Sequence, residues 1–319
     1  MKISIIGCGR WGSFHAWYSS KIGHDVKLYG RANSKKMQQL ESTGGNDYLK
    51  LPPNVHLTKN LEETLNFARV IIISVGTQNL RDLLEEIKSL NLNLESKKFV
   101  LCMKGLEKNT GKRLSTIFEE VLQIKNVAVW VGPGHVQDFV QSIPNCMVMA
   151  AADEILTREI VEIFNSPLIR FYYGADLIGI EIGAAAKNVI GIAAGMLDGL
   201  NCTSLKGALM ARGTVELSRL IESLGGDKMT VYGLSHLGDY EATLFSKHSR
   251  NRKFGEDFVL HKKFDKLAEG TDTVVALMEL SKSTGVELPI CRAVFKILYE
   301  NGDPEEQLMN LFMRSTKSE

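Results

Sequence analysis

The chain has 319 residues, enough for two domains of ordinary size. Its 44% hydrophobic and 24% charged residues match a globular protein with a full core and argue against a disordered or fibrous chain. Lys and Arg number 38 against 37 Asp and Glu, a formal charge of +1, so no long-range field gathers nucleic acid or an anionic membrane, and recognition of negative charge must be local.

In chain order, β-rich runs fall at Lys2–Ile6, Asp25–Tyr29, Val70–Ser74, Phe99–Met103, Val127–Val131, Met147–Ala150 and Leu168–Tyr172. Between several of them lie amphipathic stretches at Ser34–Leu40, Leu80–Leu90, Arg113–Val121 and Ile155–Phe164. This alternation predicts parallel βαβ units, a doubly wound α/β domain of residues 1–175 with helices on both faces of a sheet. From Val127 on, less helix separates the strands, and an antiparallel edge is expected there. After Gly174 the strand pattern stops. Long helical patterns follow at Leu205–Leu224 (closed by Gly225-Gly226), Thr271–Ser283 and Arg292–Asn301, the last two separated by Pro289. Residues 176–319 therefore read as a second, all-α domain, with the polar tail Arg314–Glu319 expected to fray.

The longest apolar tract, Leu177 to Leu197, carries Glu181 and Lys187. Each charge would cost about 2.5–3.5 kcal/mol at mid-membrane, so no span is expected. The opening MKISIIGC has the outline of a lipoprotein signal, but its apolar run falls short of the roughly 7–15 residues that a signal core needs. Cys8, Cys102, Cys146, Cys202 and Cys291 are scattered and lack metal-ligand spacing, as reduced thiols of a cytoplasmic protein would be. No His/Cys/Asp pattern calls for a metal.

The strand Lys2–Ile6 runs directly into Gly7-Cys8-Gly9-Arg10-Trp11-Gly12, a GxGxxG turn that opens a helix. In this pattern the first Gly allows the tight turn and the second lets the backbone approach a pyrophosphate. The third permits close helix–strand packing, and the helix N-terminus offers N–H groups and positive dipole. A dinucleotide site built on Gly7, Gly9, Arg10, Trp11 and Gly12 follows. An NAD-selective site places a carboxylate at the end of the second strand. Here the sequence reads Tyr29-Gly30-Arg31-Ala32-Asn33, and Arg31 suits a 2′-phosphate, which favours NADP over NAD; an Arg that merely stacks on adenine would leave both cofactors open.

The helical stretch Leu177–Met196 is rich in Gly, Ala and Ile, so most of it should be buried. Lys187 in its middle needs a carboxylate partner, a route to the surface, or a catalytic task. Desolvation lowers a Lys pKa toward neutrality, which suits a general acid or base. Lys104 follows a strand end, where open α/β sheets place ligand contacts. The segment Ser235–Phe258 mixes His236, Asp239, Thr243, His248, Ser249, Arg250, Asn251, Arg252 and Lys253, a set suited to an oxygen-rich anion. His135, alone after a turn, reads as structural.

Taken in order, GCGRWGS (7–13), MKGLE (103–107), GPGH (132–135), GAAAKNVIGIAAGMLDG (183–199), ALMARG (208–213), YGLSHLGD (232–239), SRNRKFG (249–255) and AEG (268–270) resemble the NAD(P)-dependent glycerol-3-phosphate dehydrogenase family over nearly the whole chain. The resemblance implies a Rossmann-type domain followed by a helical domain like that of 6-phosphogluconate dehydrogenase. It implies reversible reduction of dihydroxyacetone phosphate to sn-glycerol 3-phosphate by NAD(P)H, supplying phospholipid synthesis in the cytoplasm, and a homodimer. Lys187 would be the general acid and base, with Lys104 and Asp239 orienting it. Substrate contacts would come from Lys104, Gly132, Asn188, Asp239, Thr243, Ser249, Arg250 and Asn251. Lys104, Val136, Arg250 and Glu269 would join the glycine turn and Arg31 on the cofactor side.

The chain departs from the family pattern at Gly134, at Gly76-Thr77, in a shortened loop before ALMARG, at Lys206, and at Tyr240-Glu241, where an apolar pair is usual. Two rival readings are a β-hydroxyacid dehydrogenase acting on another small substrate and a non-catalytic NAD(P)H sensor. SRNRKFG and LGD argue against the first, and the presence of Lys187, Lys104 and Asp239 argues against the second.

Overall fold

The computed structural model describes residues 1–313. Strand β1 (Lys2–Ile6) belongs to an eight-stranded sheet with β2 (Asp25–Tyr29), β3 (Val55–Thr58), β4 (Val70–Ile73), β5 (Lys98–Leu101), β6 (Val127–Val131), β7 (Asn145–Ala151) and β8 (Ile169–Gly174), ordered β3-β2-β1-β4-β5-β6-β7-β8. Pairing is parallel from β3 across to β6, antiparallel between β6 and β7, and parallel again between β7 and β8. The central strands explain this layout. Every residue of β4 and β6 is buried, as a strand covered on both faces requires, whereas β8 at the edge alternates buried and exposed. The cover comes from α1 (Arg10–Lys21), α2 (Lys35–Thr43), α3 (Leu61–Phe67), α4 (Leu80–Ser89), α5 (Leu114–Leu122), α6 (Val136–Val140) and α7 (Glu154–Phe164). Strand order reverses between β1 and β4, so the β1–α1 turn lies at the switch point where such sheets bind ligands. This is a Rossmann-like sheet, and an all-helical second unit follows it.

The chain divides into two compact units, one of residues 1–103 with 114–177, the other of Lys104–Arg113 with the residues from Ile178 on. The second unit is built on α8 (Leu177–Gly199), α9 (Lys206–Ser223), α10 (Arg250–Val259), α11 (Gly270–Thr284), α12 (Pro289–Tyr299) and α13 (Pro304–Phe312). Helix α8 is long and apolar enough to cross a membrane by composition alone, but 89% of its most apolar window is buried inside the protein, where it forms the core's axis. Helix α9 ends as its Gly-Gly pair predicts. Gly225 has φ +83°, its N–H bonds Glu222 O, and the Gly226 N–H bonds Ile221 O, the paired closure of a Schellman cap.

The structure differs from the sequence reading at several elements. Strand β3 and helix α3 were not foreseen, and Ser34 caps α2 rather than starting it, its hydroxyl accepting the Met37 N–H. Strand β5 ends at Leu101, so Lys104 stands past the strand in a connecting segment. Pro289 stands between the two helical stretches as expected, and it is itself the first residue of α12, because the ring's fixed φ suits a position that needs no N–H. The tail Arg314–Glu319 lies outside the described residues.

Helices α8 and α10 cross at backbone distance. A Cβ on Gly195 would fall 1.8 Å from Arg252 O, and one on Gly255 would fall 2.0 Å from Ile192 O. Gly195→Ala should therefore destabilise the protein by about 1–3 kcal/mol in urea unfolding, as overpacking of a close crossing does. An unchanged midpoint would contradict this crossing.

Candidate functional site

In the first unit, Gly7 has φ +112°, and a Cβ there would lie 2.2 Å from Ser74 O; a Cβ on Gly12 would lie 1.6 Å from Gly7 O. Both glycines are dictated by the turn itself. Gly9 is different: among the described residues beyond its chain neighbours, the one atom near its Cβ position is the Lys36 ammonium, 3.6 Å away. The fold does not need glycine at residue 9, but a phosphate resting on the backbone at the N-terminus of α1 does. The residues present thus fit the pyrophosphate of a dinucleotide. Arg10 is held by Gln137, with a 2.7 Å bond from its Nη2 to Oε1, and its guanidinium lies 4.9 Å from the centre of the Tyr48 ring. Trp11 meets Phe14 edge to face at 5.3 Å. Arg31 is exposed at the end of β2, as a cofactor-facing cation would be. Lys36, which sequence reasoning did not single out, is exposed as the second residue of α2. Only the approach of two segments distant in sequence reveals its relation to Gly9. Gly132 and Gly134 both have strongly positive φ, and Val136 begins α6 with its side chain buried.

In the second unit, α8 presents Gly183, Lys187, Gly191, Gly195 and Gly199 at four-residue intervals, a row that winds around the helix by about 40° per step. Other elements press on this row. His236 meets Gly183, Thr243 meets Gly191, and the backbone of α10 meets Gly195 and Gly199. Lys187 is the one long side chain in the row, and it is 96% buried by the same neighbours: its exposure is 4%. Its ammonium has three oxygen partners. It donates to Thr243 Oγ1 at 2.7 Å and Asn188 Oδ1 at 3.3 Å, and lies 3.2 Å from Asp239 Oδ2.

Asp239 is 2% exposed, and its Oδ2 also takes Lys104 Nζ at 2.7 Å. The Asn188 amide closes the group by donating to Lys104 O at 2.8 Å. Two ammonium groups share one carboxylate oxygen, an arrangement that suits an anion or an oxygen gaining negative charge. Burial draws the Lys187 pKa down to about 8; Asp239 opposes that shift, Lys104 adds to it, and Glu269 opposes it more weakly.

Thr243 sits in a π-helical turn, Glu241–Phe245, of the kind often found at functional positions. Lys206 steadies the turn by donating to Leu244 O at 2.9 Å, while its ammonium also pairs with Asp198 at 2.6 Å. Asp198 in turn receives Arg252 of α10 at 2.6 Å. Three other expected residues stand at helix starts. The Ser249 hydroxyl caps α10 by accepting the Arg252 N–H, with half-buried Arg250 next to it. Asn251 Oδ1 accepts the Gly270 N–H at 3.0 Å, which ties α10 to the start of α11 just after Glu269.

Two family models match this chain. The N-terminal model of NAD-dependent glycerol-3-phosphate dehydrogenase covers residues 2–157, and its C-terminal model covers residues 176–309. The chain belongs to the NAD-dependent glycerol-3-phosphate dehydrogenase family. A relative from Chlorobium phaeobacteroides, glycerol-3-phosphate dehydrogenase [NAD(P)+], is 36% identical over 100% of this chain and 99% of its own. One of the same name from Pelodictyon phaeoclathratiforme is 33% identical at the same coverage. The crystal structure of glycerol-3-phosphate dehydrogenase from Coxiella burnetii superposes with a TM-score of 0.90 at 26% identity, covering 98% of this chain and 99% of that one. In this chain the Lys187-Asn188 pair on α8 and Asp239 of the Leu237–Asp239 turn form the cluster.

Gly9→Ala separates cofactor fit from folding. Its methyl group meets no backbone, so the melting temperature should stay within about 2 °C, while NADPH binding, followed by fluorescence, should weaken at least about tenfold. Unaltered affinity would contradict the phosphate cradle.

Proposed function

We propose that this chain reduces dihydroxyacetone phosphate at C2 to sn-glycerol 3-phosphate, reversibly, with Lys187 delivering and recovering the proton. The observation that carries this reading is the buried Lys187 ammonium, whose pKa lies near 8 and which a carboxylate and two neutral oxygens hold in place. The bound dinucleotide supplies hydride; everything else falls to this chain's residues. As hydride reaches C2, negative charge builds on the carbonyl oxygen, and a protonated Lys187 neutralises it by transferring its proton. Asp239 keeps Lys187 protonated enough to serve as an acid, while burial makes its ammonium acidic enough to release the proton. Lys104 adds a second positive charge at the same carboxylate oxygen. Arg250 has the planar fork that matches a phosphate, and Asn251, Ser249, Asn188 and Gly132 complete the proposed substrate contacts.

The family's cofactors are NAD and NADP. Exposed Arg31, with Lys36 close by on α2, supports a preference for NADPH through charge-assisted bonds to a 2′-phosphate. Glycerol phosphate made in this way would feed phospholipid synthesis in the cytoplasm, and the active form is proposed to be a homodimer.

The deciding assay is NADPH and NADH oxidation with dihydroxyacetone phosphate, compared with reduction of 3-keto acids, the substrates of the related β-hydroxyacid dehydrogenases. Turnover confined to the keto acids would overturn the proposal. Because reduction needs protonated Lys187, its rate should fall as pH rises through about 8, whereas oxidation of glycerol 3-phosphate should rise through the same point. Lys187→Ala should lower kcat by at least about a hundredfold and leave NADPH affinity intact. Retained kcat would dismiss Lys187 as the acid. Arg31→Asp should shift the ratio of kcat/KM for NADPH to that for NADH toward NADH by about tenfold or more, and an unmoved ratio would contradict the cofactor preference.

A further inference from the structure

Two buried side chains beside the Lys187 cluster have no part in the proton transfer described above. His236 is fully buried, and its Nδ1 lies 2.9 Å from Gly183 O. A carbonyl can only accept, so Nδ1 carries the proton and Nε2 is left as an acceptor. Nε2 takes the Tyr240 hydroxyl at 2.6 Å. Tyr240 is fully buried as well, with its ring centre 4.7 Å from that of His236.

The pair brackets Asp239, with His236 three residues before it and Tyr240 one after. The Asp239 N–H itself bonds His236 O at 3.0 Å. Both ends rest on glycine. A Cβ on Gly183 would lie 3.1 Å from His236 Cβ, and one on Gly213 would lie 3.1 Å from the Tyr240 oxygen. Gly183 is one helical turn before Lys187 in the α8 row. The charged or titratable groups facing His236 are Lys187 and Asp239; those facing Tyr240 are Glu216 of α9 and Cys291 of α12, with Thr214 of α9 as a hydrogen-bond partner.

We propose that Tyr240 and His236 are positioning residues. The chain of bonds Tyr240–His236–Gly183 O locks the Leu237–Asp239 turn to α8 and so fixes Asp239 Oδ2 between Lys187 and Lys104. A histidine with both nitrogens engaged has one ring orientation, which packing alone would not impose. Burial also draws the His236 pKa down to about 4, so the lock adds no charge beside Lys187 at neutral pH. The Tyr240 half of the Tyr240-Glu241 departure thereby gains a function. This inference depends on the proposed reaction only for its kinetic readout.

Tyr240→Phe removes one oxygen and keeps the ring. With Asp239 less firmly held, Lys187 loses part of the charge that supports its protonated form. The alkaline limb of dihydroxyacetone phosphate reduction should then move down by about half a unit to one unit. kcat should fall about tenfold, with KM for the substrate changing less. Amide hydrogen exchange in the Leu237–Tyr240 turn should speed up. His236→Asn, which keeps a donor toward Gly183 O, should recover part of the loss that His236→Leu shows. Two results would overturn the proposal: exchange in the turn that matches the parent, or faster exchange with the pH limb and kcat unmoved. If the parent itself fails to reduce dihydroxyacetone phosphate, the reaction assignment fails separately. The NMR titration of Lys187 in parent and Tyr240→Phe, read together with exchange, then decides the pair, and an identical midpoint in the two proteins would reject it.

Discussion

A single ammonium group in the dry interior of the helical unit organises this protein. Taking a charge of that size out of water costs several kcal/mol even after relaxation, and its ion pair with a carboxylate does not by itself repay that cost. The surroundings of Lys187 are arranged to contain the penalty. Asp239 supplies the opposite charge, and Thr243 and Asn188 take the remaining donors. A hydrophobic residue at position 187 would stabilise the unit more simply. Retaining the charge, together with a pKa lowered into the range of proton transfer, is what ties the packing of this unit to chemistry.

The glycines do corresponding work in each unit. Along α8 they let His236, Thr243 and the backbone of α10 come within van der Waals range of the helix, and that close approach both buries Lys187 and delivers its partners. In the β1–α1 turn, Gly7 and Gly12 answer to the backbone, while Gly9 leaves a place for a phosphate that the protein's own atoms do not fill. In both units, missing side chains let other groups approach the backbone closely.

Much of this was legible in the sequence. The alternation of β-rich and helical runs gave the sheet, and the change after Gly174 gave the helical unit. GCGRWGS, the Lys187-Asn188 pair and LGD marked the parts of the site that sequence spacing can carry. What could not be read depends on tertiary contact. Val55–Thr58 is a four-residue strand just after Pro52-Pro53, too short for its alternation to stand out from a loop, and it is defined by its pairing with β2. Lys104–Arg113 packs with the second unit and is tied to it by side-chain bonds such as Lys104 to Asp239 and Arg113 to Glu181, which no local pattern encodes. Ser249 and Asn251 stood out as polar residues for an anion; in the fold, their oxygens also hold the starts of α10 and α11, a use that composition does not distinguish from ligand binding. His236 was noticed as one polar residue among many, and only its contact with Gly183, 53 residues away, sets it apart.

The protonation of Lys187 in the resting protein is the deciding property. NMR titration of the protein labelled with 13C at the lysine ε-carbon, with the Lys187 signal assigned by its loss in Lys187→Arg, reads that protonation directly. A midpoint near 8 for this resonance, with exposed lysines remaining near 10.5, is the predicted result. A Lys187 signal that titrates with the exposed lysines would contradict the claim that burial prepares this group to be the acid.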